Sequence, residues 1–289
     1  MNNTFKVHGA GLGLKRDFLD ALKDQSPDPI GFLEIAPENW MGFGGQFAKN
    51  LRHFTERYDF TTHGLSLSIG GPTPLDVEFV KKLKIFLDSH DIQVYTEHLS
   101  YCSDDGHMYD LMPIPFTEEA VHYVADRIKQ VQDILERKIG MENVSYYAAP
   151  GQELSEISFF NAVVEEADCD ILLDVNNIYV NSINHHYNAI DFLKAMPGER
   201  VSYMHVAGHY EEAADLIVDT HGADVIDPVW DLLHKAYETF GVMPTLLERD
   251  FNIPDMQGLM REVNKISEIQ QQWSTKQHVR DIRDVKVSS

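Results

Sequence analysis

Eight times along this 289-residue chain a short apolar run gives way to an amphipathic stretch, and this alternation limits the fold more than any other feature. Strands that alternate with helices form parallel strand-helix-strand units, because each helix must bury its apolar stripe on the sheet. The apolar runs lie at residues 8–14, 31–36, 60–67, 92–99, 138–145, 170–177, 201–208 and 244–249. Between them stand helical patterns such as FTEEAVHYVADRIKQVQDILER and DPVWDLLHKAYETFG, with apolar residues three and four apart. Thr117 before Glu118 and Glu119 reads as a helix N-cap, and Asp227 before Pro228 as another. Eight such repeats favour an α/β fold of the closed (β/α)8 TIM barrel type over an open doubly wound sheet. The expectation is one barrel domain over residues 1–273, then a polar tail at 274–289 that frays.

Composition narrows the function. The net charge of −22 argues against a nucleic-acid partner, since phosphate backbones are bound by clustered Lys and Arg. No apolar run reaches the length of a membrane span, and the N-terminus lacks the pattern of a signal peptide, so the expected location is cytoplasmic, away from the membrane. Cys102 and Cys169 are too few for a disulfide framework and lack the spacing of a thiolate metal site. Any metal is therefore expected on nitrogen and oxygen ligands.

Placement along the strands supplies such ligands. His63 lies in the third run, His98 ends the fourth, and Glu142 lies in the fifth. Asp174 and Asn177 end the sixth, His205 and His209 follow in and after the seventh, and Glu248 ends the eighth. The C-terminal ends of barrel strands are where active sites are built. Acids embedded in runs such as ILLDVNN and PTLLERD are costly unless paired or bound to a cation. The segment VDTHG adds Asp219 and His221, which share one side of an extended backbone. These nine groups, His63, His98, Glu142, Asp174, Asn177, His205, Asp219, His221 and Glu248, exceed the ligand needs of one ion. Two or three ions are expected, with Glu142 as a bridge. Taken singly, His63 or His98 reads as a hydrogen-bonded core histidine, Asp174 as a cap, Asn177 as a turn residue and Glu248 as half of a salt bridge. His209 fits a ligand, a supporting partner or a proton donor. Glu34, Glu38 and Asn39 fit either groups that orient a site or a capped turn. The loops at 102–115 and 208–225 read as covers over the same face, while His185 and His186 read as a solvated loop.

The ordered motifs GLGLKRDF, FLEIAPENW, THGLSLSIGG, TEHLSY, ENVSYY, LLDVNNIYVN, HVAGH, DTHG and LLERD resemble those of the multinuclear non-heme iron-dependent oxidative enzymes, long filed as a domain of unknown function. The resemblance implies a xylose-isomerase-like barrel and a cluster of two or three iron ions on the same nine positions. It implies O2 as co-substrate and oxidation of cysteine, or of another residue, in a ribosomally made precursor peptide. It also implies a small partner protein that grips the peptide's leader. The residues alone leave two other classes open: a zinc, manganese or magnesium barrel acting as a hydrolase or sugar isomerase, and a non-catalytic metal- or peptide-binding protein.

Overall fold

In the computed structural model, which describes residues 5–24, 29–104 and 106–287, each apolar run contributes one strand to a closed parallel barrel. The strands in chain order are β1 (Ala10–Gly13), β2 (Ile30–Ile35), β3 (Asp59–His63), β4 (Val94–His98), β5 (Ser100–Ser103), β6 (His107–Pro113), β7 (Gly140–Glu142), β8 (Asp170–Asp174), β9 (Val201–Ala207), β10 (Tyr210–Ala213), β11 (Leu216–Val218) and β12 (Thr245–Glu248). The helices are α1 (Leu19–Asp24), α2 (Gly45–Thr55), α3 (Val77–Ser89), α4 (Glu118–Leu135), α5 (Glu156–Ala167), α6 (Val175–Asn184), α7 (Ala189–Ala195), α8 (Asp227–Phe240) and α9 (Met256–Val287). The barrel runs β1-β12-β9-β8-β7-β4-β3-β2, closed by pairing of β1 with β2. The two long loops fold into antiparallel hairpins, β5–β6 and β10–β11, standing on the C-terminal face after β4 and β9.

Two apolar layers hold this frame. Inside the barrel Phe32, Leu172, Tyr203 and Leu246 fill the lumen, with the Phe32 and Tyr203 rings edge to face at 6.1 Å. Gly11 makes room for this plug: a Cβ there would meet the Phe32 ring at 2.5 Å. Outside, α4 shows how a helix is fixed to the barrel. Thr117 Oγ1 accepts from Ala120 N at 3.2 Å, and Glu136 in the left-handed conformation ends the helix. Between them Val121, Val124, Ile128, Val131 and Leu135 are buried along one stripe, each contributing about 2 kcal/mol of apolar burial.

Three local expectations are corrected. The N-cap of α8 is Ile226, with no side-chain cap bond, and Asp227 is the first residue of the helix ahead of Pro228. The sixth strand stops at Asp174, so Asn177 sits in the first turn of α6. At the C-terminus the helical backbone of α9 continues through residues read as a polar tail, as Lys, Gln and Arg are good helix formers despite their polarity; residues 288–289 lie outside the described residues. No helix among the described residues is long and apolar enough to cross a membrane.

Candidate metal centre

Strand register brings the ligand-type side chains to one level. His98 pairs across the sheet with Glu142, and Asp174 with His205, while His63 stands opposite Thr96. Three overlapping groups result, each able to offer ligand atoms within 4.8 Å of one another: His63, His98 and Glu142; Glu142, Asp174 and His205; Asp174, His221 and Glu248. Glu142 belongs to the first two and Asp174 to the last two. The groups therefore form a row with two shared carboxylates, one more than the expected single bridge.

In the first group His63 Nε2 and His98 Nε2 face each other at 3.0 Å, and lie 3.1 and 3.3 Å from Glu142 Oε2. Two imidazole nitrogens approach so closely only when one carries a hydrogen that the other accepts. Burial alone would lower the His63 ring, but Glu142 outweighs it and lifts the ring to about 9, whereas burial and His63 push His98 down to about 4. One proton thus serves both rings. His63 Nδ1 is tied to Thr96 Oγ1 at 2.9 Å, which leaves Nε2 facing the group.

His205 is fully buried and lies between acids on both sides. Nε2 is 2.9 Å from Glu34 Oε1; Nδ1 is 2.9 Å from Glu248 Oε2 and 3.9 Å from Asp174 Oδ2. Burial opposes its charge, yet Glu34 and Glu248 hold the ring well above its ordinary value. Glu34 is itself fixed by Thr61 Oγ1 at 2.9 Å and by the Tyr203 hydroxyl at 2.5 Å, which rises from the barrel plug. Of the two roles open to Glu34, orienting the site is the one its geometry fits.

The last group is completed from the loop after β11. His221 Nδ1 lies 3.3 Å from Glu248 Oε2 and 3.1 Å from Asp250 Oδ2, and Nε2 is 2.8 Å from Asp219 Oδ1. Asp219 and His221 do meet, but not on extended backbone: His221 has φ +48°, and this left-handed turn folds its ring back on Asp219. Asp219 is held by Ser145 Oγ and Asn176 Nδ2, each at 2.9 Å. Asn177 Nδ2 donates to Glu142 Oε1 at 3.2 Å. Asp174 Oδ1 caps α6 by accepting from Asn177 N at 2.6 Å, while Oδ2 points to the row.

The chemistry of this donor set fits cations. Glu142 Oε2, Asp174 Oδ2, Asn177 Oδ1 and Glu248 Oε2 are buried without a hydrogen-bond partner, a state that normally costs a protein dearly. Burial, followed by Glu142, raises the Asp174 carboxyl well above the ordinary range. Divalent ions in the row would supply these oxygens with partners and remove the need for protonated histidines.

His209 stands beside the row and in none of the three groups. Its Nδ1 is 2.7 Å from Asn176 Oδ1, and its ring stacks on Tyr179 with centroids 5.3 Å apart. Burial lowers its pKa, so the ring is neutral at neutral pH. Asn176, unmarked in the sequence, thus links His209 to Asp219; its only signal is its place beside Asn177. Glu38 fixes the loop after β3 by accepting from Leu65 N at 2.8 Å, and the Asn39 carbonyl accepts from Arg16 at 2.8 Å. His185 is half-buried and stacked on Tyr146, away from the row, and His186 is exposed. Cys102 and Cys169 are free and buried.

The chain matches a protein family described as RiPP precursor modification enzyme MbnB/TglH/ChrH over residues 9–271. A UPF0276 protein of Shewanella sediminis (strain HAW-EB3) is 64% identical over 260 residues, covering 90% of this chain and 94% of the relative. Among solved structures, D-psicose 3-epimerase of Clostridium cellulolyticum H10 superposes with a TM-score of 0.63 at 12% identity, covering 92% of this chain and 98% of that one. A xylose isomerase domain protein of Planctomyces limnophilus gives 0.60 at 13% identity, covering 94% and 99%. At that identity the solved structures bear on the fold alone, which is the xylose-isomerase-like barrel.

Proposed function

This chain belongs to the MbnB/TglH/ChrH family of enzymes that modify ribosomally made precursor peptides, and on that premise we propose that it is a multinuclear iron oxidase using O2 to modify cysteine, or another residue, of such a peptide. A small partner protein would deliver the peptide by its leader. The observation that carries the reading is the row of three His/carboxylate groups joined through Glu142 and Asp174. His63, His98 and Glu142 would hold one ion, Glu142, Asp174 and His205 a second, and Asp174, His221 and Glu248 a third, with Asn177 and Asp219 completing the shells. Bound iron would supply electrons to dioxygen and a Lewis-acid seat for a thiolate.

The chain's own part is positioning. Thr96 fixes Nδ1 of His63, and Glu34 sets a negative charge 2.9 Å from Nε2 of His205, so each ring presents its other nitrogen to the row. The plug of Phe32, Leu172 and Leu246 excludes water from below, leaving the C-terminal face as the entrance. His209, neutral and held at Nδ1 by Asn176, has Nε2 available to take a proton from the substrate at the edge of the row.

Anaerobic loading with ferrous iron, followed by exposure of the protein and a candidate precursor peptide to air, tests the reading. It predicts two or three irons per chain, oxygen uptake and a mass change confined to the peptide. A protein that retains only zinc and consumes no oxygen would instead be a hydrolase or isomerase and would sink the proposal.

A further inference from the structure

The two hairpins flank the connections that follow β7 and β8, since those two strands separate β4 from β9 in the barrel. Tyr147, in the β7 connection, lies between them. Its hydroxyl accepts from Asp219 N at 3.0 Å at the foot of one hairpin, and the carboxylate of Asp110 in the other is near enough to act on it. The surface here is apolar: Tyr147 is 52% and Tyr210 55% exposed, with Met112 and Leu216 also exposed. All four residues of β10 face solvent. Soluble proteins seldom leave such side chains together without a use.

The same surface is acidic and lacks compensation. Segments 99–117, 143–155 and 208–226 contain no Lys or Arg. Asp110, Glu211, Glu212 and Asp215 have no cationic partner among the described residues. Lys15 and Arg16, cations of the β1 connection, are engaged elsewhere, Lys15 on Asp250 and Arg16 over the Phe47 ring at 4.6 Å. Glu211 is close enough to act on His209 and Tyr179, so the acidic edge reaches the candidate reaction position.

We propose that the exposed face between the hairpins, which carries Tyr147, Asp110, Glu211 and Glu212, docks an extended substrate segment carrying Lys or Arg next to apolar residues. This rests on the peptide-modifying reading and sets its specificity: positive charges flank the residue presented to the row. Apolar side chains of the segment cover Tyr147, Tyr210 and Met112, and its cations meet carboxylates that nothing else in the chain neutralises.

The test is fluorescence anisotropy under argon with the full-length, metal-loaded protein. The probe is a fluorescein-labelled peptide of alternating Lys and Phe with no cysteine, and its counterpart has Glu for each Lys. The Lys probe should bind and weaken about tenfold as salt rises from about 0.05 to about 0.3 M. The variant Glu211→Lys/Glu212→Lys should bind the Lys probe about tenfold more weakly and gain affinity for the Glu probe, and Tyr147→Ala should weaken both. These side chains are exposed, and circular dichroism checks that the variants fold. Equal binding of the two probes, no binding, or indifference to charge reversal overturns the proposal and assigns the face to another occupant. The probe offers no cysteine to oxidise, so this result and a failure of the oxidase reading are distinguishable.

Discussion

His205 turns Nδ1 toward Asp174 and Glu248 and Nε2 toward Glu34, 2.9 Å away, and Glu34 is in turn clamped by Thr61 and Tyr203. A carboxylate behind an imidazole fixes its tautomer and raises its basicity, and such supports carry about 10- to 100-fold in metal affinity. Glu34→Gln keeps the volume and loses the charge. It should leave the protein folded but weaken retention of the ion proposed for Glu142, Asp174 and His205 by that factor, read by competition with a chelator; unchanged retention would remove Glu34 from the proposed centre. Residues of this kind mark how far the sequence can be read. His98, Glu142 and Glu248 stand out as candidates only together: each alone has an ordinary structural role, but ionisable groups in successive apolar runs would not fall on one barrel end by such separate roles. Glu34 looks the same but sits beside Pro37 and Glu38, where a turn explains it equally well. Asn176 is illegible, since its partners Asp219 and His209 are brought to it only by the closed barrel.

At the scale of elements, α6 starts at the row itself. Asp174 both caps the helix through Oδ1 and offers Oδ2 to two of the three groups, so two substitutions separate its roles. Asp174→Asn keeps the capping oxygen and removes a buried charge; Asp174→Ala removes both. Without metal, the Ala variant should be less stable than the Asn variant by about 1 kcal/mol, the worth of a cap, while both fail to hold the middle and last ions. Urea unfolding of the two proteins, paired with metal analysis, reads the difference; equal stability would mean that the cap is idle. The barrel strands were readable from period and spacing. Helix α6 was not, because VNNIYVNSIN is buried on nearly every side, its polar Asn176, Asn177 and Asn181 included, so no apolar stripe marks a helix and VNN passes for the end of a strand. The β10–β11 hairpin is hidden for a different reason, β10 being exposed throughout and therefore lacking a buried face to betray a strand.

Taken as a whole, the molecule keeps chemistry on one face and stability on the rest, yet one ionisable group outside the row ties global stability to pH. Glu156 opens α5, its carboxyl accepting from Asn181 Nδ2 at 3.0 Å and from the Tyr146 hydroxyl at 3.2 Å. Both donors are neutral, so they offset only part of the burial that pushes its pKa from 4.5 to about 7. Below pH 4.5 the group is protonated whether the chain is folded or not. Between 4.5 and 7 the unfolded chain has lost the proton and the folded one keeps it, so stability falls as pH rises across this window and levels off above it. At about 1.4 kcal/mol per unit, the full fall is at most about 3.5 kcal/mol. Glu156→Gln is neutral at every pH and fills the same space. The variant should therefore match the parent near pH 4.5 and become the more stable protein by pH 8, in unfolding midpoints measured with metal held constant. Parallel curves for the two proteins would show that the Glu156 carboxyl is ionised in the fold, with a cation reaching it that the surrounding residues do not provide.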